Sequence, residues 1–174
     1  MFGAGILKGM LVTASNFFRS YYVKERLTTI PYPEEQRITP DRSRTIPFLV
    51  YDGEDQEAGL RCTACCICEK ACPPQIIYIV PSRDEKNRLL KHPKVFDIDT
   101  SVCMECGICS EVCPFEAIRM DQVFELSTRE RFESLLLHKS DLAKSNGYYH
   151  QLHPTEATAD DAKRAAAAAR KKKA

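Results

Sequence analysis

Eight of the nine cysteines in this 174-residue chain form one pattern written twice. Cys62, Cys65, Cys68 and Cys72 follow C-x2-C-x2-C-x3-C, and Pro73 comes next. Cys103, Cys106, Cys109 and Cys113 repeat that spacing, with Pro114 next, each 41 residues after its counterpart. Two tight loops must therefore each gather three sulfurs, with a fourth supplied from elsewhere. The repeat extends past the cysteines, since Ile67 matches Ile108 and Ile77 matches Ile118 at the same offset.

Soft thiolates in this run, closed by proline, suit cubane 4Fe–4S clusters of the bacterial ferredoxin kind. The fourth cysteine of each run ligates the other cluster. The expected sets are therefore crossed. Cys62, Cys65, Cys68 and Cys113 hold one cluster; Cys103, Cys106, Cys109 and Cys72 hold the other. Each following proline fixes φ and turns the chain away, and Gly107 suits a loop whose backbone approaches the inorganic sulfides. Ile67 and Ile108 are placed to shield the cubes. Zinc sites use cysteine pairs across longer gaps, and disulfides need an oxidising compartment, for which no secretory signal is recognisable. Cys66 is left over. It reads either as a spare redox thiol or as a small residue packed in the loop, and the eight filled ligand places favour the second.

The expected fold class is α+β, a pseudo-two-fold ferredoxin-like domain over residues 45–125. An N-terminal amphipathic helix and connector (1–44) precede it, and a C-terminal helical extension with a mobile basic tail (126–174) follows. Cofactors replace much of the apolar core in so small a domain. The net charge of +1 divides into +3, −6 and +4 over these three segments. An acidic core argues against nucleic acid as a partner, whereas the basic arms suit a membrane surface or an acidic neighbour.

Ile6, Leu7, Met10, Leu11, Ala14, Phe17, Phe18 and Tyr21 recur at helical spacing, predicting a helix from Phe2 to about Arg26. The uncharged run Gly9–Phe18 is too short to span a bilayer. The helix reads as lying on a membrane or in a partner's groove, with packing on its own domain as the alternative. Pro31, Pro33 and Pro40 make residues 27–44 an extended connector. Strands are expected at 45–51, 76–80, 95–98 and 117–120, and a charged surface loop at 82–93. Ser127 and Glu130 offer a capping box for a helix carrying Phe132, Leu135 and Leu136. Residues 160–174 read as a solvated tail or frayed helix, less readily as a polybasic tether. His92, His138, His150 and His153 read as surface residues rather than ligands.

Taken together, these features resemble subunit I of the proton-pumping NADH–quinone oxidoreductase, respiratory complex I. The likeness rests on the N-terminal helix, on Tyr32-Pro33-Glu34-Glu35, on Arg61 leading the first motif and Glu69 within it, on Gly107 within the second, and on Phe124-Glu125-Leu126. It extends to about Leu142. Cys66 departs from it, as does Thr45, which follows Arg44 where an Arg-Gly step is common. The tail after His153 has no counterpart. The resemblance implies two relay clusters between an upstream cluster and the last one before quinone. It implies neighbouring cluster-bearing and quinone-site subunits and the membrane arm as partners, with residues 1–30 at the membrane surface. The place would be peripheral, on the cytoplasmic side of the cell membrane.

Electron transfer through fixed cubes needs no acid–base pair or nucleophile, and none is visible, so the isolated chain is expected to turn over no substrate. The competing readings are a ferredoxin-type subunit of a related membrane hydrogenase or formate-oxidising complex, a free ferredoxin, and a structural iron–sulfur module of a nucleic-acid enzyme. The apolar basic arm disfavours the free ferredoxin, and the acidic core disfavours the last.

Overall fold

The computed structural model describes residues 3–26, 29–37, 39–130 and 132–173. Phe2, the expected helix start, lies outside them. So do the side chains of the basic run at 170–173 and of residue 174. The chain forms two compact units, residues 1–38 and 39–174.

In the first unit, helix α1 covers Ala4–Tyr22. No residue of it is buried. Ile6, Leu7, Met10, Leu11, Phe17, Phe18 and Tyr21 are all exposed. Phe17 meets Phe18 and Tyr21 edge to face, with ring centroids 5.4 and 5.3 Å apart. A short 3-10 turn, Lys24–Arg26, follows. The connector is not wholly extended: the Glu35 N–H donates to the Pro31 carbonyl at 2.9 Å and closes a turn.

The second unit holds two three-stranded sheets. In one, β1 (Pro47–Tyr51) is central, antiparallel to β4 (Ile118–Met120) and parallel to β6 (Ala143–Ser145). In the other, β3 (Leu89–Asp99) lies between β2 (Ile77–Arg83) and β5 (Leu136–Leu137). Alternation along β1 sends successive side chains to opposite faces. Leu49 joins the core of Ile77, Ile79, Phe96, Ile98, Ile118 and the buried cysteines. Phe48 and Val50 join Tyr149 and Ala157. The strand is thus buried on both sides, cysteine loops on one and C-terminal helices on the other.

Residues 82–93 do not form the expected loop. Pairing of β2 with β3 runs out to Arg83 and Leu89, where Asn87 at φ 58° closes a turn on Asp84. The helix expected after Ser127 is also not formed among the described residues. The segment is drawn to the sheet edge instead, where the Leu135 carbonyl accepts from Thr100 N–H at 2.8 Å and Oγ1 at 2.6 Å, and β5 pairs with β3.

The C-terminal stretch is part of this unit; from residue 160, where a solvated tail or frayed helix is expected, it continues as helix with Asp160 buried. Helix α4 (Lys139–Leu142) buries Leu142, α5 (Asn146–Leu152) buries Tyr149, and α6 spans Pro154–Lys173 with Ala157 and Asp160 buried. His153, expected at the surface, is buried between the Asp41 and Met120 carbonyls. Adjacent aspartates on α6 take up buried cations from the cluster side. Asp160 pairs with Arg119 and accepts from Tyr149 Oη at 2.8 Å, while Asp161 meets Arg61 at 3.1 Å. Burial alone would raise the Asp160 carboxyl, but the bonds from Arg119 and Tyr149 outweigh it and hold it below 3.8.

Asp160→Asn leaves the Arg119 guanidinium short of its counter-charge. It is expected to destabilise the unit by about 3 kcal/mol at neutral pH, read from the denaturant midpoint. Because the folded-state pKa is depressed, the wild-type advantage holds above 3.8 and narrows as pH falls through the lower native value.

Candidate metal centre

Two loops and the short helices after them set out the cysteines. Helix α2 (Ile67–Ala71) follows Cys66, and α3 (Ile108–Glu111) follows Gly107. The backbone repeats at the 41-residue offset. Ala64 and Glu105 are left-handed at φ 54° and 52°, Cys66 and Gly107 at 58° and 77°, and Gln75 and Glu116 at 54° and 52°. The first hydrogen bond of each short helix repeats as well, from Lys70 N–H to the Cys66 carbonyl and from Glu111 N–H to the Gly107 carbonyl, both at 3.2 Å. Left-handed residues interleaved in a tight loop turn backbone N–H groups toward one concavity, an arrangement that receives anions and iron–sulfur groups.

These loops border two thiol-lined spaces. Cys62, Cys65, Cys68 and Cys113 line the first, walled by Leu49, Ile79, Phe96 and Phe115. Cys103, Cys106, Cys109 and Cys72 line the second, walled by Ile77, Ile98, Met104 and Met120. Pro73, after the fourth cysteine of the first run, also borders the second. Ile67 lines the first space as expected, whereas Met104 and Ile76, rather than Ile108, border the second. The Ala117 N–H donates to Cys113 Sγ at 3.4 Å.

The thiol environment follows the same grouping, except that Cys68 also feels Cys109 of the other run. Burial pushes the Cys62 thiol up to about 11, with Cys113 adding to the shift. Burial likewise pushes Cys68 and Cys109 up to about 12, helped by Cys62 and Cys113 for the former and by Cys103, Cys106 and Cys72 for the latter. Four thiols crowded in an apolar space resist ionising together, and iron relieves this by supplying the counter-charge. Among the described residues, no three His, Cys, Asp or Glu side chains are grouped to hold a single metal ion. A cube asks for something else, because each thiolate binds iron at its own corner. The residues therefore fit 4Fe–4S groups: soft donors, apolar walls and tight loops with interleaved left-handed residues.

Cys66 also borders the first space. It holds the left-handed position that Gly107 fills in the second loop, and its Sγ lies 3.5 Å from the Ala64 carbonyl. Arg44, marked in the sequence only as the residue before Thr45, where an Arg-Gly step is common, is also a site residue. It reaches the second loop, donating from Nη1 to the Cys106 carbonyl at 2.6 Å and pairing with Glu111.

Residues 61–131 match a family described as a 4Fe-4S dicluster domain. Over 170 residues the chain is 32% identical to NADH-quinone oxidoreductase subunit I of Pelobacter propionicus, a match covering 86% of this chain and 89% of the relative. It is 36% identical over 137 residues to NADH-quinone oxidoreductase subunit I 1 of Geobacter metallireducens, covering 79% and 71%. It is 34% identical over 134 residues to subunit I 2 of Streptomyces coelicolor, where it takes in 71% of this chain but only 59% of the relative.

Left-handed backbone costs a non-glycine residue roughly 1–2 kcal/mol. Cys66→Gly is therefore expected to keep both thiol-lined spaces loaded with iron and to gain about 1 kcal/mol, seen as a higher unfolding midpoint with unchanged iron content. Loss of iron would show that Cys66 is needed as a ligand.

Proposed function

The chain belongs to the family of NADH-quinone oxidoreductase subunit I, and from that premise we propose that it relays single electrons through two 4Fe–4S clusters toward a quinone site. The observation that carries the reading is the sorting of the eight motif cysteines into two apolar spaces, four to each, with Cys66 also bordering the first. The proposed ligand sets are crossed. Cys62, Cys65, Cys68 and Cys113 take one cluster; Cys103, Cys106, Cys109 and Cys72 take the other. Support comes from Cys113 bordering the space of the first run and Cys72 that of the second. The recurrence of three left-handed positions at one offset supports a pseudo-two-fold pair of halves.

Bound clusters supply reversible one-electron chemistry. The chain's own residues supply position and dielectric. Phe96 and Ile98, both fully buried, come from neighbouring positions of β3 and wall the two spaces, one each. The two sites thus share a rigid strand, and Cys68 feels Cys109 as well as its own set. Fixed, close, dry sites are what electron tunnelling needs. The chain acts as a relay within an oxidoreductase complex, with no substrate turnover of its own.

Partners in this reading are the other subunits of the complex and the membrane surface. No described helix is long and apolar enough to cross a membrane. The exposed apolar residues of α1 supply an attachment face instead, and the complex would sit peripherally on the cytoplasmic side.

Cys72→Ala is expected to abolish the EPR signal of the cluster held by the second run while sparing the other. Loss confined to the first run's cluster would refute the crossed sets, and zinc without iron in the purified protein would refute the clusters altogether. Removing residues 1–30 should release the chain from membranes with its iron content intact; continued membrane association in cell fractionation would exclude that arm as the attachment.

A further inference from the structure

Arg44 lies across the second cysteine loop and touches it at three points. Nη1 donates to the Cys106 carbonyl at 2.6 Å. Nη2 pairs with Glu111, the last residue of α3. The side chain between covers Gly107 so closely that a Cβ there would stand 2.9 Å from Cδ and from Nη1. Gly107 therefore answers two demands, a left-handed φ of 77° and room for the arginine. The first loop is built otherwise, because the same left-handed position carries the Cys66 side chain.

We propose that Arg44 is a positioning residue for one cluster only, a cationic latch that fixes residues 106–111, shields the Cys106 side of the second space from water and raises the reduction potential there. The proposal rests on the two-cluster reading above. Its physical basis is that cluster potentials respond to nearby charge, to hydrogen bonding around the sulfurs and to solvent exposure. Reduction adds a negative charge, so a cation held against the loop favours the reduced form. The Glu111 carboxylate opposes it. Both side chains are about half exposed, at 49% and 59%, so solvent screens both contributions, and the net effect depends on which group stands nearer the cluster. Nη1 stands directly on the carbonyl of a ligand residue, and Glu111 lies two residues beyond Cys109 on α3, so each charge is expected to move the potential of this same cluster in its own direction.

The test is potentiometric EPR on the full-length, cluster-loaded chain and its variants. Arg44→Met is expected to lower the midpoint potential of one cluster and to speed that cluster's bleaching by ferricyanide. The affected cluster should be the one missing from the Cys72→Ala protein. Arg44→Lys should restore most of the potential, because the charge returns, but little of the resistance to bleaching, because the fork over Cys106 and Glu111 does not. Glu111→Gln should raise the same potential, which keeps the idea falsifiable if Arg44→Met folds poorly. Unmoved potentials in both Arg44→Met and Glu111→Gln, or equal shifts in both clusters, would overturn the latch. Wild-type protein without iron–sulfur signals would instead overturn the reading beneath it.

Discussion

Strand β1 has no solvent face, and the second unit is arranged around that fact. Five residues, Pro47–Tyr51, must bury both faces with side chains that alternate. Leu49 turns toward the thiol-lined core, Phe48 and Val50 toward Tyr149 and Ala157. Neither face could be left open without exposing large apolar surface, worth roughly 2 kcal/mol for each such side chain. The loops that carry the chemistry and the helices that carry none are therefore two coverings of one strand.

The same division organises charge. The thiol-lined spaces are dry and, until metal enters, resist ionisation. Cations are kept at their margins and tied outward. The Arg61 side chain is only 1% exposed and is held by Asp52 and Asp161; Arg119 is held by Glu116 and Asp160. Buried ion pairs of this sort add little net stability but penalise any arrangement that separates them. They act as register marks between the cysteine loops and α6, and Asp121 with Lys144 and Tyr148 makes a further one beside β6.

The part of the fold legible in sequence was the part with a strict repeat. The cysteine spacing told which residues gather, and apolar runs told where β1, β4 and the inner parts of β2 and β3 lie. What misled was local charge and local capping. Residues 82–93 look like a polar loop, yet backbone pairing extends the hairpin regardless of side-chain polarity. Ser127 and Glu130 look like a helix start, yet the open edge of β3 offered Leu136 and Leu137 a ladder, and an isolated helix of that length has no comparable gain. The Ala-rich C-terminus looked unanchored because its anchors, Asp160 and Asp161, have partners more than forty residues away. The contact Arg44 makes was hidden for the same reason: 62 residues separate it from the carbonyl it holds.

The paired aspartates of α6 have a consequence for how the two cysteine runs are held together. Arg61 stands just before the first cysteine run and Arg119 just after the second. Asp161 takes one and Asp160 the other. A chain whose halves have not closed on each other offers α6 only one of its two arginines, so the helix docks fully only on a completed core. Docking of this one helix thus reports on both cysteine runs at once, since each run's flanking arginine supplies half of its anchorage.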